Sequence, residues 1–134
     1  MTVGAFGDAL QEVARRVPET EVLMIIGTDG IPIEKLSVRP DPNMEAVAAE
    51  YTTLLRASLA ASADTGLGSL QELAITTERM ATLLVAITPE YFLFASLTPG
   101  ALMGRARFAL RLAGLDLRRP GESLSMYHEF RPLH

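Results

Sequence analysis

The sequence predicts an α/β sandwich, in which helices cover both faces of one five-stranded antiparallel sheet. Its hydrophobic periodicity alternates between helical and strand-like in the order α-β-β-α-β-β-β-α. Connections of two residues join neighbouring strands, and such short connections allow only antiparallel pairing. Three strands are nearly continuous apolar runs and two mix polar with apolar residues, which distinguishes central strands from edge strands. The predicted strand order is 2-1-5-4-3, a profilin-like arrangement.

The composition favours one domain that binds other proteins. Of its 134 residues, 49% are apolar and 21% charged, and a chain of this length can bury a core without metals or disulfides. Cysteine is absent and the only histidines are His128 and His134, so thiolate metal sites and cysteine nucleophiles are excluded. We expect no enzyme activity, cofactor or metal. A net charge of −4 and apolar runs no longer than a strand predict no nucleic-acid partner, no membrane insertion and a cytoplasmic location.

The first three elements form a helix and a hairpin. Residues 4–17 place apolar side chains at helical spacing, and Pro18 ends that helix. Residues 21–28 form an apolar strand, followed by Asp29-Gly30, a strong signal for a two-residue turn. The returning strand, residues 31–38, contains Pro32, which lacks an N–H and therefore belongs on an edge.

The long helix that follows, to about Asp64, is unusually poor in charge. One stripe is an ordinary core face: Met44, Val47, Ala48, Tyr51, Leu54, Leu55 and Leu59. The opposite side carries small residues: Ala46, Ala49, Thr53, Ala57, Ala60 and Ala61. Only Glu45, Glu50 and Arg56 are charged between positions 43 and 62. Such a helix is either covered on two sides or filled with alanine for its helical propensity.

The second half of the chain predicts three strands and a helix. Residues 70–77 alternate, whereas residues 81–88 and 91–97 are apolar runs. The 70–77 edge contains neither proline nor lysine, so it is free to pair with another chain. Thr98-Pro99-Gly100 supplies a cap and a proline at the first position of the last helix, and Gly114 is a suitable C-cap. We assign residues 1–115 to the domain and 116–134 to a tail, with a possible short strand at 124–130.

Arginines concentrate on and beyond the last helix, at positions 105, 107, 111, 118 and 119. They could attract an acidic partner or a membrane surface. Positions 107 and 111 share a helix face and position 105 does not, which favours an ordinary solvated surface over a compact patch.

This element order and several stretches resemble the Roadblock family of dynein light-chain-like domains, within it the bacterial branch that includes the gliding-motility GTPase regulators. The matching stretches are residues 22–30 as the first hairpin, the alanine-rich helix, residues 80–93 as the last two strands, and residues 97–107 leading into the final helix. The resemblance covers residues 4–115. It implies a dimer in which the second helices pair and the third strands join two sheets, and a non-enzymatic role in regulating or scaffolding a small Ras-like GTPase.

These observations give one set of candidate interface residues. The predicted homodimer interface comprises Ala46, Ala49, Thr53, Ala57, Ala60, Glu72, Ala74 and Thr76. Glu50 and Arg56 are candidate contacts for the GTPase, and Arg56 could alternatively be a solvated charge bonded to Thr52 or to a carboxylate of the other subunit. The alternative function is an adaptor or signalling-complex subunit, assembling with other Roadblock-like chains or a sensor kinase without GTPase contact.

Overall fold

The computed structural model describes residues 4–118 as three helices and five strands. They are α1 (Ala5–Arg16), β1 (Thr20–Gly27), β2 (Pro32–Ser37), α2 (Met44–Asp64), β3 (Glu72–Thr76), β4 (Ala81–Thr88), β5 (Tyr91–Leu97) and α3 (Met103–Leu117). All five strands form one antiparallel sheet in the order β2-β1-β5-β4-β3. The predicted element order, sheet order and α+β fold are confirmed.

The β1–β2 hairpin has the turn that its sequence predicts. Gly30 has a φ of +86°, in the left-handed region that favours glycine. The Asp29 carboxylate accepts a hydrogen bond from the Ile31 backbone N–H at 3.0 Å. The turn therefore combines a residue without Cβ with a side chain that satisfies the backbone locally.

The sheet separates two apolar cores because successive side chains on each strand point to opposite faces. Alternate residues of the central strands, such as Leu23 and Leu93, pack with α1 and α3 on one face. The intervening residues, such as Met24 and Phe94, pack with α2 on the other face. Two helices therefore cover one face, and α2 by itself covers the other.

Three details of the helices differ from the sequence expectations. α3 begins at Met103 and not at Pro99, because Gly100 has a φ of +83°, a conformation that an α-helix does not contain. α3 continues through Gly114 to Leu117, so Gly114 is a buried residue inside the helix and not its C-cap. Its missing Cβ lies against β4, where a methyl group would meet the Ala86 carbonyl oxygen at 3.6 Å. Leu54, expected in the core, has 49% of its surface exposed. The possible strand at 124–130 lies outside the described residues.

Candidate protein-interaction surface

The exposed side of α2 is a strip of small, uncharged side chains, which we call the α2 strip. Its members are Ala46, Ala49, Thr53, Ala57 and Ala60, and all five are exposed. They recur at intervals of three or four residues, which keeps them on one side of the helix. The α2 strip is therefore a side of the helix that faces solvent and that a partner could cover.

The opposite side of α2 is fixed to the domain by burial and by one satisfied hydroxyl. Met44, Ala48, Thr52 and Leu55 are buried. The Thr52 hydroxyl donates a hydrogen bond to the Ala48 carbonyl oxygen at 2.7 Å, one turn earlier. A Cβ at Gly30 would meet this side chain at 3.7 Å, an ordinary van der Waals distance, so the hairpin turn lies beside Thr52. The helix therefore has one defined rotation about its axis, which points the α2 strip outward.

Arg56 reaches the β1–β2 hairpin. Its Nη1 donates a hydrogen bond to the Thr28 backbone carbonyl oxygen at 2.7 Å. Neither partner that the sequence suggested, Thr52 or a carboxylate, is the acceptor of this bond. Part of the Arg56 guanidinium is therefore bound within the domain. This hydrogen bond places the Arg56 side of α2 next to the β1–β2 hairpin.

Leu54 lies on the other side of α2, about 160° around the helix axis from Arg56. Since Arg56 lies over the β1–β2 hairpin, Leu54 is on the side of α2 that is nearer to β4 and β3. Its exposure extends the α2 strip with one large apolar side chain. The sequence signal was available, because Leu54 lies at the margin of the predicted core stripe, next to Thr53.

The neighbouring sheet edge, β3, pairs only with β4 among the described residues. Ala74 and Thr76 on this strand are exposed. No proline, lysine or bulge interrupts its five residues, so its outer N–H and C=O groups form a row that a further strand can join. The opposite edge differs, since β2 contains Pro32 and Lys35, and Lys35 is paired with Glu45 at the start of α2.

Glu72 turns its carboxylate away from this open edge and towards α3. Both carboxylate oxygens accept hydrogen bonds from Arg107 Nε, at 2.7 and 2.8 Å, and Arg111 Nη2 lies 3.4 Å from Oε1. Only 17% of the Glu72 side chain is exposed. The hydrogen bond from Arg107 lowers the pKa of Glu72 below its ordinary value, and burial opposes this effect. Glu72 therefore fixes β3 to α3, and its backbone is the part that remains at the edge.

The described residues do not assemble a metal site or a membrane-spanning helix. Within residues 4–118, no group of three or more histidine, aspartate or glutamate side chains could hold a metal ion. None of the three helices in that range is both long and apolar enough to cross a bilayer. The geometry of these residues instead presents two uncovered features, a helix surface and a strand edge.

A family profile described as the Roadblock/LC7 domain matches residues 7–96, from α1 to the end of β5. The chain belongs to the Roadblock/LC7 domain family. Its sequence has no significant match among curated proteins. The family assignment confirms the resemblance found in the sequence.

Solved Roadblock structures share this fold at low sequence identity. The gliding protein MglB from Thermus thermophilus is 18% identical, covering 84% of this chain and 85% of its own, with a TM-score of 0.74. Myxococcus xanthus MglB is 9% identical, covering 93% and 96%, with a TM-score of 0.76. MglC from the same organism is 23% identical, covering 83% and 94%, with a TM-score of 0.60. At these identities the likeness establishes the fold.

Proposed function

We propose that this Roadblock domain is a non-catalytic, cytoplasmic homodimer that regulates or positions a small Ras-like GTPase. The observation that supports the proposal most directly is that, within residues 4–118, the α2 strip, Leu54 and the open β3 edge are all left uncovered. A second copy would cover all three features. Membership of the Roadblock/LC7 family and similarity to gliding proteins support a regulatory or adaptor role.

The α2 strip suits close packing against an identical helix. Alanine and threonine allow helix axes to approach to about 8 Å, the short end of the usual range, because no long side chain separates the backbones. Leu54 would supply a larger apolar group at the margin of this contact. The strip itself carries no charge, and Glu50, about 20° from Ala57 in helical phase, would lie at the margin of the contact, where its carboxylate can stay in water.

The β3 edge would extend the contact through main-chain hydrogen bonds. When two β3 strands pair, the two five-stranded sheets become one, and the exposed N–H and C=O groups of both edges are satisfied. Ala74 and Thr76 would lie at this junction. Glu72 would contribute its backbone, and its carboxylate would keep the strand attached to α3.

The GTPase would meet residues at the margins of the paired helices. Glu50 is exposed on the same side of α2 as Leu54 and is therefore a candidate contact. Arg56 lies on the other side and is bonded to the Thr28 carbonyl, an arrangement that suits positioning of the hairpin better than a projecting catalytic finger.

The dimer is tested by light scattering over a range of protein concentrations, with the Thr53→Arg variant beside the wild type. We expect the wild type to have twice the mass of its 14.5 kDa chain. Placing a long cation in the middle of the α2 strip should weaken association more than about a hundredfold. The matched control is Gln11→Arg, which adds the same side chain at an exposed position of α1. A wild-type monomer at micromolar concentration would overturn the dimer.

The partner is tested by retention of the host cell's Ras-like GTPases on the immobilised full chain. GTPases loaded with GDP and with a non-hydrolysable GTP analogue are compared, and Thr53→Arg serves as the variant that disrupts the dimer. We expect retention of one GTPase that depends on the nucleotide. Retention of Roadblock-like chains or a sensor kinase without any GTPase would overturn the GTPase role in favour of the adaptor alternative.

A further inference from the structure

α3 presents large apolar side chains to solvent in addition to the face that it buries. Its core side is complete without them, because Ala106, Leu110 and Leu117 are buried against the sheet and α1. Phe108 is nevertheless 59% exposed and Leu115 is 54% exposed. They are seven residues apart and therefore lie on one line along the helix. We call this line, Phe108 and Leu115, the α3 ridge.

Cationic side chains stand on both sides of the α3 ridge. Helical phase puts Arg105 about 60° to one side of Phe108 and Arg111 about 60° to the other. Arg105 is exposed and has no ion pair among residues 4–118. Arg111 is exposed and reaches Glu72 at 3.4 Å through one nitrogen only, which leaves its other N–H groups available. Asp116, next to Leu115, is the one acidic residue of α3, so the three arginines of the helix leave it a net charge of +2, in contrast with −4 for the whole chain.

A cleft of about 210 Å³ adjoins the Arg111 side of the α3 ridge. Its lining residues come from α3, from β4 and from the segment before β3: Gln71, Val85, Ala86, Arg111, Gly114, Leu115 and Arg118. Two guanidinium groups and one amide thus border a space that is large enough for a phosphate group. The apolar ridge and the cationic cleft lie side by side on the same exposed surface.

We propose that this surface of α3 docks on an anionic phospholipid bilayer. The two ridge side chains would enter the boundary between headgroups and acyl chains, with Arg105 and Arg111 in contact with the headgroup phosphates around them. Arg111 and Arg118 would hold one such phosphate at the cleft. An apolar centre with cations on both sides is complementary in charge and polarity to this boundary. The two apolar side chains project from an exposed helix surface and need no matching groove in the partner, which favours a bilayer over an acidic protein.

The docking surface is independent of the proposed dimer interface, because α3 and α2 lie on opposite faces of the sheet. Pairing of two β3 strands would nevertheless bring both α3 surfaces onto the same face of the joined sheet. A dimer would then bind one bilayer through two copies of the surface. This gain rests on the proposed function, whereas binding by one copy does not.

Vesicle sedimentation with the full chain tests the proposal. The probes are vesicles of phosphatidylglycerol mixed equally with phosphatidylcholine, and vesicles of phosphatidylcholine alone. We expect binding to the anionic vesicles that falls as salt increases, and little binding to the neutral ones. Arg105→Glu should reduce partitioning by at least about fivefold, because one cation near an anionic surface contributes about that factor. Phe108→Ser should reduce it by about tenfold.

Two matched controls make the same changes away from the α3 surface. Arg39→Glu reverses an exposed charge just after β2, and Ile31→Ser removes an apolar side chain that is 57% exposed in the hairpin turn. Both should bind vesicles like the wild type, and thermal melting should confirm that all four variants are folded. Equal losses from the controls, or equal binding to neutral and anionic vesicles, would overturn the proposal.

Further outcomes separate this surface from the dimer. If Thr53→Arg is monomeric and binds anionic vesicles more weakly, yet remains sensitive to Arg105→Glu, the docking surface stands and the dimer supplies avidity. If the wild type is itself monomeric and shows that same sensitivity, only the proposed dimer fails. A different outcome is that the protein fails to bind vesicles and instead binds an acidic protein, with that binding lost in Arg105→Glu and in Phe108→Ser. This result would overturn the proposal of a lipid partner in favour of the acidic protein.

Discussion

The two faces of the sheet are covered by helices of different character. Among residues 4–118, α2 is the one helix on its face, and it exposes the small, uncharged residues of the α2 strip. α3 shares the other face with α1 and exposes Phe108 and Leu115 between arginines. Small residues allow another backbone to approach closely, whereas a ridge of large side chains keeps a backbone at a distance. One domain therefore offers two surfaces that suit different partners.

The two faces also differ in how a single arginine holds the helix to the sheet. Arg56 joins α2 to the β1–β2 hairpin through the neutral carbonyl of Thr28. Arg107 joins α3 to β3 through the Glu72 carboxylate, and this contact raises the pKa of Arg107 as it lowers that of Glu72. Only the second contact contains an acceptor that titrates in acid. Acid should therefore weaken the Arg107–Glu72 contact and leave the Arg56–Thr28 contact unchanged.

The largest expected effect separates the two sides of α2 at adjacent leucines. Leu55 is fully buried, so Leu55→Ala should lower the free energy of unfolding by about 3 kcal/mol. Leu54→Ala should cost the protomer less than about 1 kcal/mol because that side chain is half exposed. Denaturant unfolding at a fixed protein concentration measures both, and light scattering should show weaker association for Leu54→Ala alone. Similar unfolding losses would contradict the burial of one leucine and the exposure of the other.

The next effect tests the ion pair on the α3 side. Glu72→Gln should lower the free energy of unfolding by about 1.5 kcal/mol at neutral pH, since the hydrogen bonds from Arg107 lose their charged acceptor. The pKa of Glu72 is lower in the folded state, so its contribution is present above the ordinary value of 4.5 and is lost as pH falls through the folded value. The difference between wild type and variant should shrink in that acidic range.

Glu12→Gln is the matched control for this pH dependence. Glu12 also has a lowered pKa, caused first by its hydrogen bond from Arg15, but all its partners lie on the solvent-exposed side of α1. Solvent screens such pairs, so the change at Glu12 should affect unfolding much less than the change at Glu72. An equal effect at both positions would mean that the contact between β3 and α3 adds nothing specific.

A smaller effect is expected for the contact on the α2 side. Arg56→Ala removes the hydrogen bond to the Thr28 carbonyl and should cost about 1 kcal/mol. Amide hydrogen exchange should accelerate at Gly30, whose N–H belongs to the same turn. Arg39→Ala, at an exposed position, is the control and should leave this exchange unchanged. If a GTPase partner is found, Arg56→Ala should leave its hydrolysis rate intact, in keeping with a positioning role.

The smallest expected effect has the opposite sign. Gly114→Ala should raise the free energy of unfolding by about 0.5 kcal/mol, because alanine is the better residue inside a helix and its methyl would meet Ala86 at an ordinary distance of 3.6 Å. Gly30→Ala is the contrasting variant, since its positive φ should make the same substitution destabilising. Thermal melting that shows destabilisation of Gly114→Ala would indicate that the helix ends there after all.

The sequence predicted the elements correctly because their signals are local. Asp29-Gly30 between apolar segments predicted the hairpin, and continuous apolar runs predicted the central strands. Gly114 misled the prediction, because a glycine near the end of a helix resembles a C-cap unless its burial against β4 is known. Leu54 misled it too, because helical phase alone does not reveal where the sheet stops covering α2.

By itself, therefore, the sequence determined which strands are central and which are edges, the small residues of the α2 strip and the undefended β3 edge, each of which follows from residues within a few positions of one another. Only the tertiary structure decided the partners of Arg56 and Glu72, which lie 28 and 35 residues away along the chain. It also decided that the α3 ridge and its arginines share a surface with a cleft formed partly by β4. The physical reason is that a charged or exposed side chain can satisfy itself in water almost as well as in the domain. Its sequence therefore leaves the partner open, and the packing of the helices on the sheet selects it.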